Sequence, residues 1–244
     1  MFTNIIGKDG FGAQYQRIIQ TFIFCKANNL KFCYCPIKNM EHNYNNDINF
    51  ISRIEILINL KDNIENMNID ECKQLDYGGV VLKWFEANID KNCNNEHMKF
   101  IKDCFWKNKK RELIFNNNKI NIAIHIRREN QHDKGRAGQR ISTTNEYYLM
   151  VMSRIRNKYK EHDKELQFHI YSQGNISDFT IFQKEDVIFH LDEDICKTFT
   201  ELVAADILVT SPSSLSYVAA LISDGDIYYK KFWHKPKSNW NVLK

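Results

Sequence analysis

From residue 118 onward the chain alternates short, apolar, strand-like runs with helix-like segments, and this alternation constrains its fold more than any other feature. The strand candidates are "INIAIHI" from Ile120, "LQFHIYS" from Leu166, "DVIFHL" from Asp186, "DILVTS" from Asp206 and "DIYY" from Asp226. Helix candidates start near Thr144, Ser177, Lys197 and Ser213. Strands joined through helices pair in parallel, with helices covering both faces of the sheet. Thr143-Thr144-Asn145-Glu146 has capping-box spacing, with Thr143 as N-cap and Glu146 reaching back.

The first half begins with "FTNII", the glycine turn "GKDGFGAQ", a helix over "YQRIIQTFIFCKANN" and a strand over "LKFCYCPI". That order suggests a nucleotide-type α/β unit. Residues 49 to 112 read as mainly helical. Phe50, Ile54, Leu57 and Ile58 recur at helical spacing, as do Phe100, Ile101, Cys104 and Phe105, and core packing explains both stripes. The polar "NNNK" at 116–119 separates helical from strand-like sequence. The expected domains are therefore 1–117 and 118–244, two α/β units facing each other.

Of the 244 residues, 43% are hydrophobic and 13% aromatic, enough for packed cores. The net charge of +4 is mild, with basic and acidic residues interleaved, so no nucleic-acid partner is expected. The densest basic run, "KNKKRE" at 107–112, reads as a solvated helix end. Seven cysteines without a CxxC pair read as reduced, mostly buried thiols. No run is apolar enough to span a bilayer, and the first residues lack a signal-peptide core. The expectation is a cytoplasmic protein with no transmembrane segment.

Ligands of doubly wound sheets bind beyond the carboxyl ends of the strands. That rule selects "HIRRENQHDKGRAGQR", "YSQGN" and "TSPSSLS". In the first of these, strand alternation puts His125 and Arg127 on one face and sends Arg128 to the other. Two guanidiniums at a strand end need an anion, because a half-buried unpaired charge is costly. Glu129 or Asp133 could supply it in a structural salt bridge; the sharper reading is a phosphate or pyrophosphate, which guanidinium forks match in geometry. In "SPSSLSYVAALIS", Ser213 or Ser214 falls at a helix start, where free N–H groups and hydroxyls form an anion site. Ordinary capping would need only one of Ser211, Ser213, Ser214 and Ser216. Asp206 alone reads as a cap or turn residue. The turn Gly10-Phe11-Gly12-Ala13-Gln14 lacks both a P-loop ending and the third glycine of a dinucleotide fingerprint.

Taken in order, "GKDGFGAQYQR", "IAIHIRREN", "FHIYSQGN" and "ADILVTSPSSLSYVAALIS" resemble the fucosyltransferase superfamily of α1,2-, α1,6- and protein O-fucosyltransferases, whose hallmark is a His-x-Arg-Arg strand end. The resemblance implies a GT-B fold and metal-independent, inverting transfer of fucose from GDP-fucose to a glycan or protein hydroxyl. It implies no cofactor and no metal ligand. Arg127 and Arg128 would hold the diphosphate, and His125 would line the cleft. Asp206, Ser211, Ser213, Ser214 and Ser216, with Ser172 of the Ser-x-Gly turn, would contact the donor. Gly12 and Gln14 would face it from the first domain. Glu129 and Asp133 are candidates for the general base, with His132 behind them. The family often carries Gly-Asp or Thr-Asp after the arginines, where this chain has Glu129-Asn130. Two other readings stay open: a transferase with a different nucleotide sugar, and a non-catalytic sugar- or nucleotide-binding module. The loop "ENQHDKGRAGQRIS" is expected to order over donor or acceptor.

Overall fold

A computed structural model describes residues 1–5, 7–43, 45–64, 71–115, 118–128 and 143–243. Its chain forms two compact units. The first comprises Met1–Lys109 with Trp233–Ser238, and the second Lys110–Phe232 with Asn239–Lys244. The architecture is mixed α/β with parallel sheets. Among the described residues, no helix is long and apolar enough to cross a membrane. None of the seven cysteines forms a disulfide, and Cys25, Cys33, Cys35, Cys93 and Cys104 are buried.

In the first unit, β1 (Phe2–Thr3) lies between β2 (Phe32–Cys33) and β3 (Lys73–Gln74), all parallel. The Asn4 amide extends these two-residue strands by exchanging two 3.0 Å hydrogen bonds with the Cys35 backbone. Helix α1 (Phe11–Ala27) begins one residue after Gly10, whose carbonyl accepts from Ala13 and Gln14 N–H. The expected glycine turn is therefore largely the first turn of a helix, with Gly12 and Gln14 buried inside it. Helix α2 (Phe50–Ile58) buries Phe50, Ile54, Leu57 and Ile58, the stripe its spacing predicts. A wide π-type turn over Tyr77–Leu82 leads into α3 (Lys83–Ala87), α4 (Ile89–Cys93) and α5 (Glu96–Trp106). Segment 233–238 is tied to this unit by His234 Nδ1 on Glu86 Oε1 (3.0 Å) and by Ser238 N–H on Asp90 Oδ1 (2.9 Å).

The second unit carries β4 (Lys119–His125), β5 (Glu165–Ser172), β6 (Val187–Leu191), β7 (Ile207–Val209), β8 (Asp226–Lys230) and β9 (Asn241–Leu243). They form one parallel sheet in the order β6-β5-β4-β7-β8-β9. The connections are α6 (Asn145–Lys158), a 3₁₀ helix at Ile176–Phe182 where a helix near Ser177 was expected, α7 (Ile195–Ala204) and α8 (Ser214–Ile222). The chain winds outward from β4 to β6, crosses back through α7 to β7, then winds the other way. This is the doubly wound order, with its switch point between β4 and β7.

One face of the central strands is wholly apolar. Ile120, Ile122 and Ile124 of β4 and Phe168 and Ile170 of β5 pack with Tyr148, Val151, Met152 and Ile155 of α6 and with Phe179 and Phe182. The other face carries Asn121, His125, Gln167, His169 and Tyr171, and these are buried as well. The period-two pattern of "INIAIHI" therefore marks two different buried environments, because parallel strands are covered on both sides.

The N-cap of α6 is Thr144, whose hydroxyl accepts from Tyr147 N–H (3.4 Å). The expected cap at Thr143 is thus displaced by one residue. Arg128 Nη1 holds the Thr143 carbonyl (3.1 Å), and Tyr147 rather than Glu146 occupies the third helical position, so no reciprocal box closes. Phe168 is fully buried beneath the Arg156 guanidinium, 4.5 Å from its ring centre. Phe168→Ala is expected to destabilise the second unit by about 3–5 kcal/mol in denaturant unfolding, the cost of a large core cavity.

Candidate ligand site at the switch point

Two strand ends meet at the switch point. Strand β4 ends at His125 and continues through Ile126 to Arg127 and Arg128, while β7 continues through Thr210 into the serine turn that starts α8. His125 Nδ1 lies 2.8 Å from Ser211 Oγ, and both residues are buried. Burial, reinforced by the Arg127 charge, moves the His125 pKa from its ordinary 6.5 to about 3. The imidazole is therefore neutral, and a single proton shared with Ser211 satisfies both groups.

The serines divide by task. Ser213 caps α8, its hydroxyl accepting from Leu215 N–H at 3.2 Å. Ser216 Oγ is fully buried; it accepts from Ser211 N–H (3.2 Å) and lies 3.2 Å from the Ser211 carbonyl, closing the turn on itself. Ser214, the first helical residue, is half-buried. On the neighbouring strand, Ser172 Oγ donates to the Ile126 carbonyl (2.8 Å), fixing the backbone just ahead of the arginines.

The arginines separate as alternation requires. Arg128 turns to the α6 face, bonding the Thr143 carbonyl and Asn145 Oδ1 and lying over the Phe179 ring at 5.1 Å. Burial lowers its pKa below the usual guanidinium range. Arg127 remains on the His125 side, close enough for its charge to act on that ring.

Other expected site residues lie elsewhere. Asp206 is exposed at the amino end of β7, where Oδ2 accepts from Asn121 N–H at 2.8 Å. Five residue steps of extended chain, about 16 Å, carry it to Ser211. It fastens β7 to β4 at the end of the sheet away from His125. Gly12 and Gln14 belong to α1 in the first unit, and Gln14 Nε2 is spent on the carbonyls of Asp9 (2.6 Å) and Asn39 (2.8 Å). Beside them an open depression of about 510 Å³ is lined by Lys8, Asp9, Arg17, Asp76 and Tyr77, with Arg17 paired to Asp9. Glu129, Asn130, His132, Asp133 and the rest of the loop through Ser142 lie outside the described residues.

Sequence reasoning missed the buried polar residues on the sheet face that also carries His125. Their signal was the polar residue at alternate positions of three adjacent strands: Asn121, then Gln167 and His169, then His190.

No known protein family matches the sequence, and no curated protein does. Among solved structures, the chain is similar to a crystal structure of POFUT1 in complex with GDP, with a TM-score of 0.47 and 11% sequence identity over 92% of this chain and 94% of that one.

The site residues offer a hydrogen-bonded strand-end pair, a guanidinium and a capped helix start at one switch point, a combination suited to holding an anion. Removing the Ser211 hydroxyl leaves the buried His125 nitrogen unsatisfied, so Ser211→Ala should cost about 1–3 kcal/mol of stability. A histidine that stays neutral when folded binds its proton only when unfolded, as does His169, which burial lowers to about 4. Stability should therefore be full above about pH 6.5 and fall as the pH drops toward the folded values near 3 to 4. Denaturant midpoints measured across that range should show a shallower acid limb in His125→Gln.

Proposed function

We propose that the second unit binds the diphosphate of a nucleotide-sugar donor, and that the chain is a metal-independent, inverting glycosyltransferase of the GT-B class acting on GDP-fucose. The observation that carries this reading is the His125–Ser211 bridge at the switch point, with Arg127 beside it and the capped start of α8 behind it. The four motifs in "GKDGFGAQYQR", "IAIHIRREN", "FHIYSQGN" and "ADILVTSPSSLSYVAALIS" support the donor class.

Each residue has a defined task in this reading. The Arg127 guanidinium holds the diphosphate and takes up the negative charge that builds on the departing GDP, as a fixed cation does without reorganisation. Ser213 and Ser214 present the helix start to the same anion. Arg128 positions rather than binds: its contacts to Thr143, Asn145 and Phe179 anchor the start of α6 and so hold the strand end in place. Ser172 and Ser216 fix the two loops. His125 is too weak a base to take the acceptor proton. That task is assigned to Glu129 or Asp133; the acceptor oxygen bonds to the anomeric carbon from the face opposite the diphosphate, whose bond to that carbon breaks as GDP departs. The same weakness of His125 favours a second reading, a donor-binding module without transfer. The acceptor is a glycan or protein hydroxyl.

Calorimetric titration with GDP, UDP and ADP in EDTA separates the outcomes. GDP is expected to bind selectively and roughly 10- to 100-fold more weakly in Arg127→Ala, the loss of one charge-assisted contact. Selective UDP binding would reassign the donor. Donor binding without acceptor-dependent GDP release across a broad acceptor panel would favour the binding module. No nucleotide binding, or an unchanged affinity in Arg127→Ala, would overturn the proposal.

A further inference from the structure

Charge is not spread evenly along this chain. Of its 34 basic and 30 acidic residues, five lysines and no acidic residue fall in 227–244, "IYYKKFWHKPKSNWNVLK". The residues before that stretch hold 29 basic and 30 acidic side chains, so the whole net charge of +4 originates in the last 18 positions. The same stretch holds five aromatic residues. Tyr228, Tyr229 and Trp240 are buried, whereas Trp233 is 58% exposed.

Trp233 is held outward by its neighbours. The link from β8 to β9 runs through residues 231–240, and Trp233–Ser238 belongs to the first unit. His234 is buried, with Nδ1 3.0 Å from Glu86 Oε1 and 3.3 Å from Gln16 Nε2. Lys235 N–H donates to the same Glu86 oxygen (3.4 Å), and Ser238 N–H donates to Asp90 Oδ1 (2.9 Å). With His234 turned inward, Trp233 before it and Lys235 after it are left exposed. Lys237 follows across Pro236, its Nζ resting on the neutral Asn94 Oδ1 at 3.3 Å. Lys83, one turn before Glu86 on α3, is exposed as well. Single exposed apolar residues are ordinary. This one is an indole pinned in place among lysines.

We propose that Trp233, with Lys235 and Lys237 beside it and Lys231 ahead of it in the chain, docks the protein onto a bilayer surface rich in anionic phospholipid. An indole has an apolar body and a polar N–H, and it settles at the level of the lipid headgroups. Lysines lay their stems along the apolar boundary and keep their charges among the headgroup anions. A negative leaflet attracts such a basic segment, each lysine adding to the affinity. Single-stranded nucleic acid is the competing polyanion, and the geometry disfavours it. Such strands are gripped by successive aromatic rings along a groove, and here Trp233 alone of the five is exposed. The attachment is peripheral and uses none of the residues assigned to the donor.

Flotation of the full chain with lipid vesicles tests the surface. Vesicles of equal parts phosphatidylserine and phosphatidylcholine are compared with phosphatidylcholine alone. Partition onto the anionic vesicles should be at least about tenfold stronger and should fall as added salt screens the charges. Trp233→Ala and, separately, the pair Lys235→Glu with Lys237→Glu should each weaken it at least about tenfold. Both variants change side chains at the surface, so their unfolding midpoints and GDP affinity should match those of the wild type. No preference for anionic vesicles, a partition unchanged in either variant, or tighter binding of an oligothymidylate than of the vesicles would overturn the proposal.

Discussion

The second unit depends on one constraint: its central parallel strands are buried on both faces, yet one of those faces is polar. A buried polar group without a partner costs about 1–3 kcal/mol, so each such side chain must find one across the sheet or in the covering helices. The result is a set of cross-strand links. Asn121 joins His169, His169 joins His190, and His125 joins Ser211. The apolar face against α6 supplies burial, and the polar face fixes which strand end meets which loop.

Topology then decides where chemistry can occur. Because winding reverses between β4 and β7, the loops that leave their carboxyl ends diverge to opposite faces and open a crevice. His125 and Ser211 are buried on the two sides of that crevice, and Arg127 follows His125 two residues on. Arg128, one position on, must point to the other face, where it secures the start of α6. The paired arginines of the motif thus differ in task because a strand sends neighbouring side chains in opposite directions.

Much of this was legible in the sequence. The five strands expected in the alternating half fall within a few residues of their expected bounds. Ser213 was readable as a helix cap from "SPSSLS". Three features were hidden for physical reasons. Thr143 and Thr144 are chemically equivalent as caps, and only Arg128 on the Thr143 carbonyl selects the second. The glycines of "GFGAQ" suit a turn, but the Gly10 carbonyl draws them into α1. His169, His190 and Glu201 each look like solvent-facing residues of separate elements; only the strand order and the position of α7 bring them together. The short β3 and β9 are set by neighbouring strands more than by their own residues.

Ligand is expected to bind at the strand ends joined by His125 and Ser211. Nitrogen-resolved NMR of the eight histidines during a GDP titration in EDTA tests it most directly. The His125 ring signals should move with GDP, saturate with its affinity and keep the pattern of a neutral ring, while exposed His162 stays still. Saturable GDP binding that leaves His125 unmoved would contradict it and place the nucleotide elsewhere on the protein.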